Sequence, residues 1–138
     1  MHNRFHTVLA AVLALAGAVP AAAVSAEDTL RIELNAVDPQ DGACRLIFVA
    51  ENETGSDLSA LVLEAVLFGS SGRVEALTLL DFRDLPAARL RVRSFDMAGV
   101  DCAGISRLLI NDVATCDGAV DCASALSVSS RVPIEMLQ

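Results

Sequence analysis

The chain has 138 residues and a formal net charge of −8, and it contains no Lys, Trp or Tyr. Its two histidines, His2 and His6, and one of its ten arginines, Arg4, fall in the first six positions, leaving nine arginines to face eighteen acids. A strongly acidic chain without clustered Lys and Arg lacks the cation density that phosphate contacts require, which argues against a nucleic-acid partner.

The first 26 residues read as a cleavable secretory signal peptide. Arg4 supplies the positive start, Val8 to Val19 is uncharged and apolar, and Pro20 ends the run. That run is shorter than the roughly 20 residues needed to span a bilayer. Ala21-Ala22-Ala23 and Val24-Ser25-Ala26 both satisfy the small-residue rule for cleavage, and the second places the cut before Glu27. The expected product is residues 27–138, a single periplasmic or secreted domain with no transmembrane segment after cleavage and no histidine.

Strand signals dominate from there. Thr29 to Val37 alternates, with Leu30, Ile32, Leu34 and Ala36 on one face and Arg31, Glu33 and Asn35 on the other; that is the period of a half-buried strand. Asp38-Pro39-Gln40-Asp41-Gly42 reads as a turn, because Pro presets φ and Gly accepts positive φ. Cys44 to Glu51 is a second strand, and Asn52 to Asp57 a polar turn. Leu58 to Phe68 is a third strand, apolar enough to be central. Gly69-Ser70-Ser71-Gly72 connects it to a fourth, Arg73 to Leu80. Asp81 to Ala88 contains Pro86 and reads as a loop. Arg89 to Met97 is a fifth strand with Leu90 and Val92 inward, Ile105 to Asn111 a sixth, and a final strand lies within Ala125 to Met136. Seven short strands with no amphipathic helix between them predict an all-β, antiparallel, immunoglobulin-like β-sandwich.

Four cysteines remain: Cys44, Cys102, Cys116 and Cys122. In an exported chain an even count reads as two disulfides, with three connectivities open. No two are separated by two residues, the spacing of a zinc knuckle or a redox dithiol. In the sandwich, Cys44 opens strand two and Cys102 precedes strand six, which places both at one end. Cys116 and Cys122 share the loop after strand six. The expected bridges are therefore Cys44–Cys102 and Cys116–Cys122.

The segment Cys44-Arg45-Leu46-Ile47-Phe48-Val49, the turn Asn52-Glu53-Thr54-Gly55, the run Leu61 to Phe68 with its glycine turn, and Leu85-Pro86-Ala87-Ala88 form a pattern over about residues 43–111. It resembles small bacterial envelope domains of the FxLYD type, and more closely a group of exported alphaproteobacterial proteins. Ala88 stands where that domain has a loop glycine. The resemblance implies an immunoglobulin-like sandwich and no catalytic residue.

Without His or Lys after the leader, Ser-His-Asp, Cys-His and Ser-Lys nucleophile systems cannot be assembled. A two-carboxylate glycosidase needs an aromatic-walled cleft, which a chain lacking Trp and Tyr cannot line in the usual way. The expectation is no enzyme, no cofactor and no bound metal. Asp112, Asp117 and Asp121 surround the Cys116–Cys122 loop and raise the alternative of a Ca-type ion or small-ligand carrier, but no Asp-x-Asp-x-Asp-Gly spacing is present. Arg89, Arg91 and Arg93 alternate along strand five: they read either as cross-strand partners of nearby acids or as a docking surface for an acidic partner, and like charges on one strand favour the first. Asn52-Glu53-Thr54 matches the glycosylation sequon, although a turn role suits Asn52 better. The sequence thus points to a non-enzymatic exported binding or structural module of the periplasm or cell envelope. Its expected partner is an envelope protein or a second copy, reached through an exposed sheet edge.

Overall fold

A computed structural model describes residues 28–138; the leader and its cleavage positions lie outside the described residues. Eight strands follow in order: β1 (Leu30–Gln40), β2 (Ala43–Asn52), β3 (Leu58–Gly69), β4 (Val74–Leu85), β5 (Leu90–Ala98), β6 (Ile105–Gly118), β7 (Leu126–Ser130) and β8 (Glu135–Leu137). A 3-10 turn, Cys102–Gly104, precedes β6, and a single helical turn, α1 (Cys122–Ala125), precedes β7. The strands form two four-stranded sheets, which pack as a β-sandwich: sheet A in the order β5-β2-β1-β7 and sheet B in the order β4-β3-β6-β8.

The alternation of β1 drives burial as expected as far as Leu34, after which a register shift turns Val37 rather than Ala36 toward the core. Leu30, Ile32 and Leu34 on β1, and Leu46, Phe48 and Ala50 on β2, are buried between the sheets. They face Leu61, Leu63, Ala65 and Leu67 of β3, Leu80 and Phe82 of β4, and Leu108 and Ile110 of β6. Phe48, Phe82 and Phe95 meet edge to face with centroids 5.3–5.8 Å apart, the arrangement that aromatic quadrupoles favour. Both expected disulfides are formed. Cys44–Cys102 ties sheet A to the turn that leads into sheet B, and Cys116–Cys122 ties β6 to α1.

Several boundaries differ from the sequence reading. The sandwich has eight strands rather than seven, because the C-terminal stretch splits into β7 and β8, and it is not wholly antiparallel. β7 pairs parallel to β1, and β8 parallel to β6. The turn after β1 shrinks to Asp41-Gly42, with Gly42 at φ 71°. Pro39 remains within β1 because β7 covers only Leu30 to Leu34, so beyond that point β1 is an edge that needs no further donors on that side. β4 continues through Asp81 to Leu85, which had been read as loop, and buries Phe82 and Leu85. β6 extends to Gly118, so Cys116 lies in a strand and not in a loop.

The largest inversion is in β5. Leu90 and Val92 are exposed, whereas Phe95 and Met97 turn inward. The strand carries apolar residues at both parities, so alternation alone leaves its phase open. Phe95 joins the aromatic cluster and Met97 pairs with Cys44, and these larger burials decide it.

A buried polar corner fixes the loops at one end. Asn52 is 0% exposed, and its amide donates to the carbonyls of Ser56 and Leu85, both at 2.8 Å. Its Oδ1 accepts from the Thr54 amide at 3.1 Å and from the Thr54 hydroxyl at 2.6 Å. The Asn52 carbonyl accepts from the amide of Ala88. One side chain therefore links the β2–β3 turn to the β4–β5 connection. With both amide hydrogens engaged and no exposure, it is not a glycan acceptor in the folded chain.

Candidate functional site

The geometry on β5 ties two of the three arginines to β4. Inversion of the strand sends Arg91 and Arg93 toward β4 of the other sheet. Arg93 donates from Nε to the Phe82 carbonyl at 2.7 Å and from a terminal nitrogen to the Asp84 carbonyl at 3.1 Å. Both arginines also lie within ion-pair distance of the Asp84 carboxylate, Arg91 at 3.7 Å and Arg93 at 3.4 Å. They bridge the two sheets along the β4–β5 flank. Arg89 lies exposed just ahead of β5 and does not join them. Between the two edges runs a groove of about 330 Å³ lined by Asp81, Arg83, Val92, Arg93, Ser94 and Phe95.

The acidic residues around the second disulfide do not converge. Asp121 caps α1, accepting from the hydroxyl and amide of Ser124, which holds its carboxyl below the ordinary aspartate range. Asp112 accepts from the amide of Val113. Among the described residues no group of three or more His, Cys, Asp or Glu side chains is placed to hold a metal ion.

The outer faces of the two sheets differ in kind. Sheet A is laced with charge pairs, with Leu90 and Val92 exposed on its β5 edge. Arg31 meets Glu51 and Glu53, Arg45 forks onto Asp96, and Arg131 reaches Glu33. Arg45 holds the Asp96 carboxyl below its usual range, while bonds from Asn35 and then Arg131 do the same for Glu33. These pairs keep the β1–β2 side of the face polar, and its apolar residues sit toward β5.

Sheet B carries an apolar row instead. Its register places Leu77 of β4 beside Val66 of β3, Val66 beside Leu109 of β6, and Leu109 beside Leu137 of β8. These residues alternate with the core positions Leu67, Leu108 and Ala65, so they point outward. Val66 is only 6% exposed although it lies on the outer face, because its neighbours cover it. Leu77 and Leu79, by contrast, are 62% and 58% exposed. Val74 extends the patch, and Phe68 lies under the guanidinium of Arg107, 4.9 Å from the ring centroid. An apolar face of this kind is a candidate interaction surface. Sequence reasoning missed it because β3 is apolar at both parities. The available signal was the second set, Val62, Val66 and Phe68, lying out of phase with Leu61, Leu63, Ala65 and Leu67.

No protein-family model, no curated protein and no solved structure matches the chain.

Proposed function

We propose that the protein is a non-enzymatic binding or structural module, exported to the periplasm or cell envelope, that works by presenting the outer face of sheet B to a protein partner. The observation that carries this reading is the exposure of Leu77 and Leu79 beside the covered Val66. Burying a leucine contributes roughly 1.5–3 kcal/mol relative to leaving it in water, and here that gain is left unused on the isolated domain. Two disulfides suit an oxidising compartment. The pattern over residues 43–111 that resembles small envelope domains of the FxLYD type agrees with such a setting.

The test is site-specific photo-crosslinking in intact cells. A photoreactive residue replacing Leu77 is expected to give a discrete protein adduct, and one replacing Ser127, on the outer face of sheet A, is expected to give none. Equal labelling at both positions, or no adduct from position 77, counts against the reading. Export is checked separately: the N-terminus of the periplasmic protein is expected at Glu27.

A further inference from the structure

The strand register arranges sheet B's outer face in rows. The middle row is Leu77, Val66, Leu109 and Leu137. Two residues along β3 in one direction the row is Leu79, Glu64 and Asp112, with Asn111 donating to Glu64. Two residues in the other direction it is Val74, Phe68, Arg107 and Glu135. Beyond these rows lie Asp81 on the first side and Arg73, at the hairpin, on the second. The face therefore runs from an acidic end, through an apolar middle, to a basic end. Neither Arg73 nor Arg107 has a carboxylate within ion-pair distance among the described residues. Glu75, displaced by the bulge beside Val74, lies over Gly69 and lines the end of the sandwich, away from this face.

Resting on the reading above, we infer that the occupant of this face is a second copy of the chain, packed face to face about a two-fold axis that runs along the middle row. Closed dimers are isologous, so the patch must complement itself. An axis parallel to the strands would set each row against itself, with Glu64 and Asp112 facing their own mates. An axis across the strands reverses the rows and keeps each strand opposite its own copy. Leu77, Val66, Leu109 and Leu137 then meet themselves. Leu79 meets Val74, Glu64 and Asp112 meet Arg107 above Phe68, and Asp81 meets Arg73. Glu135 faces the position where β8 has already ended. Only this axis pairs opposite charges at both ends while burying the apolar middle.

The size of the face sets the strength. Four strands at about 4.8 Å spacing and some seven residues at about 3.4 Å give roughly 450 Å² per copy. Two copies fall short of the ~1,200 Å² of a stable interface, so the dimer is weak and reversible.

Sedimentation equilibrium of the purified, disulfide-intact protein tests this. The expected result is reversible dimerisation at high protein concentration, abolished by Leu77→Glu. Arg107→Glu and Glu64→Arg are each expected to weaken it roughly tenfold by placing like charges together. The two combined should bind more tightly than either single variant, because one pair is re-formed with its signs exchanged, and stay weaker than wild type, because Asp112 still opposes the carboxylate placed at 107. A protein that stays monomeric to about 1 mM, where even a 4 kcal/mol association would show, overturns the inference. So does a dimer insensitive to Leu77→Glu, or a double variant weaker than either single one. Leu77→Cys gives a second measurement: a short bismaleimide should join two copies through position 77 but not through Ser127→Cys, and the reverse pattern also overturns the inference. A monomeric protein whose position 77 still captures a different protein in cells refutes the second copy and leaves the binding face standing.

Discussion

Replacing Asn52 with Ala should cost about 3 kcal/mol of stability. The side chain is fully buried and uses both amide hydrogens and its carbonyl oxygen. Truncation withdraws a donor from the Leu85 carbonyl and an acceptor from the Thr54 amide, and each buried group left unpaired costs about 1–3 kcal/mol. The Ser56 carbonyl keeps the Thr54 hydroxyl at 3.2 Å, so it is not counted. For a domain of this size the urea m-value is about 1.2 kcal/mol/M, and the midpoint should fall by roughly 2.5 M. Asn52→Asp preserves shape but puts a carboxylate oxygen where the amide nitrogen lay, 2.8 Å from two carbonyl oxygens. Repulsion and burial both raise its folded pKa above the unfolded value of about 3.9. The folded state then binds the proton more tightly, so this variant's deficit is smallest below pH 4 and grows as pH rises through the folded pKa. Urea melts at several pH values measure both effects. A loss under about 1 kcal/mol for Asn52→Ala, or a pH-independent deficit for Asn52→Asp, would falsify the claim that this network holds the corner.

The remaining expectations are simpler. Chain-entropy arguments give about 4 kcal/mol for the 58-residue span of Cys44–Cys102 and about 2 kcal/mol for the 6-residue span of Cys116–Cys122, so paired Cys→Ser variants should rank in that order in urea melts. Ala88 sits at φ 58°; relief of a left-handed cost of about 1–2 kcal/mol outweighs the added chain entropy, and Ala88→Gly should raise stability by roughly 0.5 kcal/mol in thermal melts. Arg93→Ala should cost more than Arg91→Ala, because Arg93 also bonds two β4 carbonyls, and equal losses would contradict the sheet-bridging role. Glu33, Asp96 and Asp121 have lowered pKa values. Their contribution is present above the ordinary carboxylate range near pH 4 and fades as pH falls through the lower folded values, so Asp96→Asn should flatten the acid limb of a stability–pH curve.

The sandwich was legible wherever a strand has one apolar parity. β1 read correctly because Leu30, Ile32 and Leu34 leave the polar residues Arg31 and Glu33 between them. In strands with two apolar parities the strand was legible but its buried face was not. In β5 the phase rested on contacts of Phe95 and Met97 that only the tertiary fold supplies. In β4, Pro86 suggested a loop over Asp81 to Ala88, while Phe82 and Leu85 are the buried residues of a bulged strand. β6 was cut short because register shifts opposite Leu63 and Ala65 break its alternation. The disulfides were legible because the sandwich needs only strand order to bring Cys44 near Cys102. The interaction face was not, because an outward apolar row on β3 looks like the core of a central strand until the other side is seen to be full.

The same geometry favours a face over an edge as the place where the proposed partner would dock. An exposed strand edge recruits other chains, and folded proteins guard such edges with short strands, bulges and inward charges. All four edges of this sandwich carry one of these devices. β7 has five residues and β8 three. β4 is broken by register shifts at both ends, with Arg83 at φ 59°. β5 is regular, yet it turns Arg91 and Arg93 inward and ties them to β4. Arg91 and Arg93 thus place charge on the inner side of an edge strand. No comparable device interrupts the middle of sheet B's outer face, where Leu77, Val66, Leu109 and Leu137 stand in line without a charge among them. A chain that guards its edges while leaving an apolar row open across sheet B favours association through side chains over backbone pairing, and charges at the two ends of that face can then set which orientation is accepted.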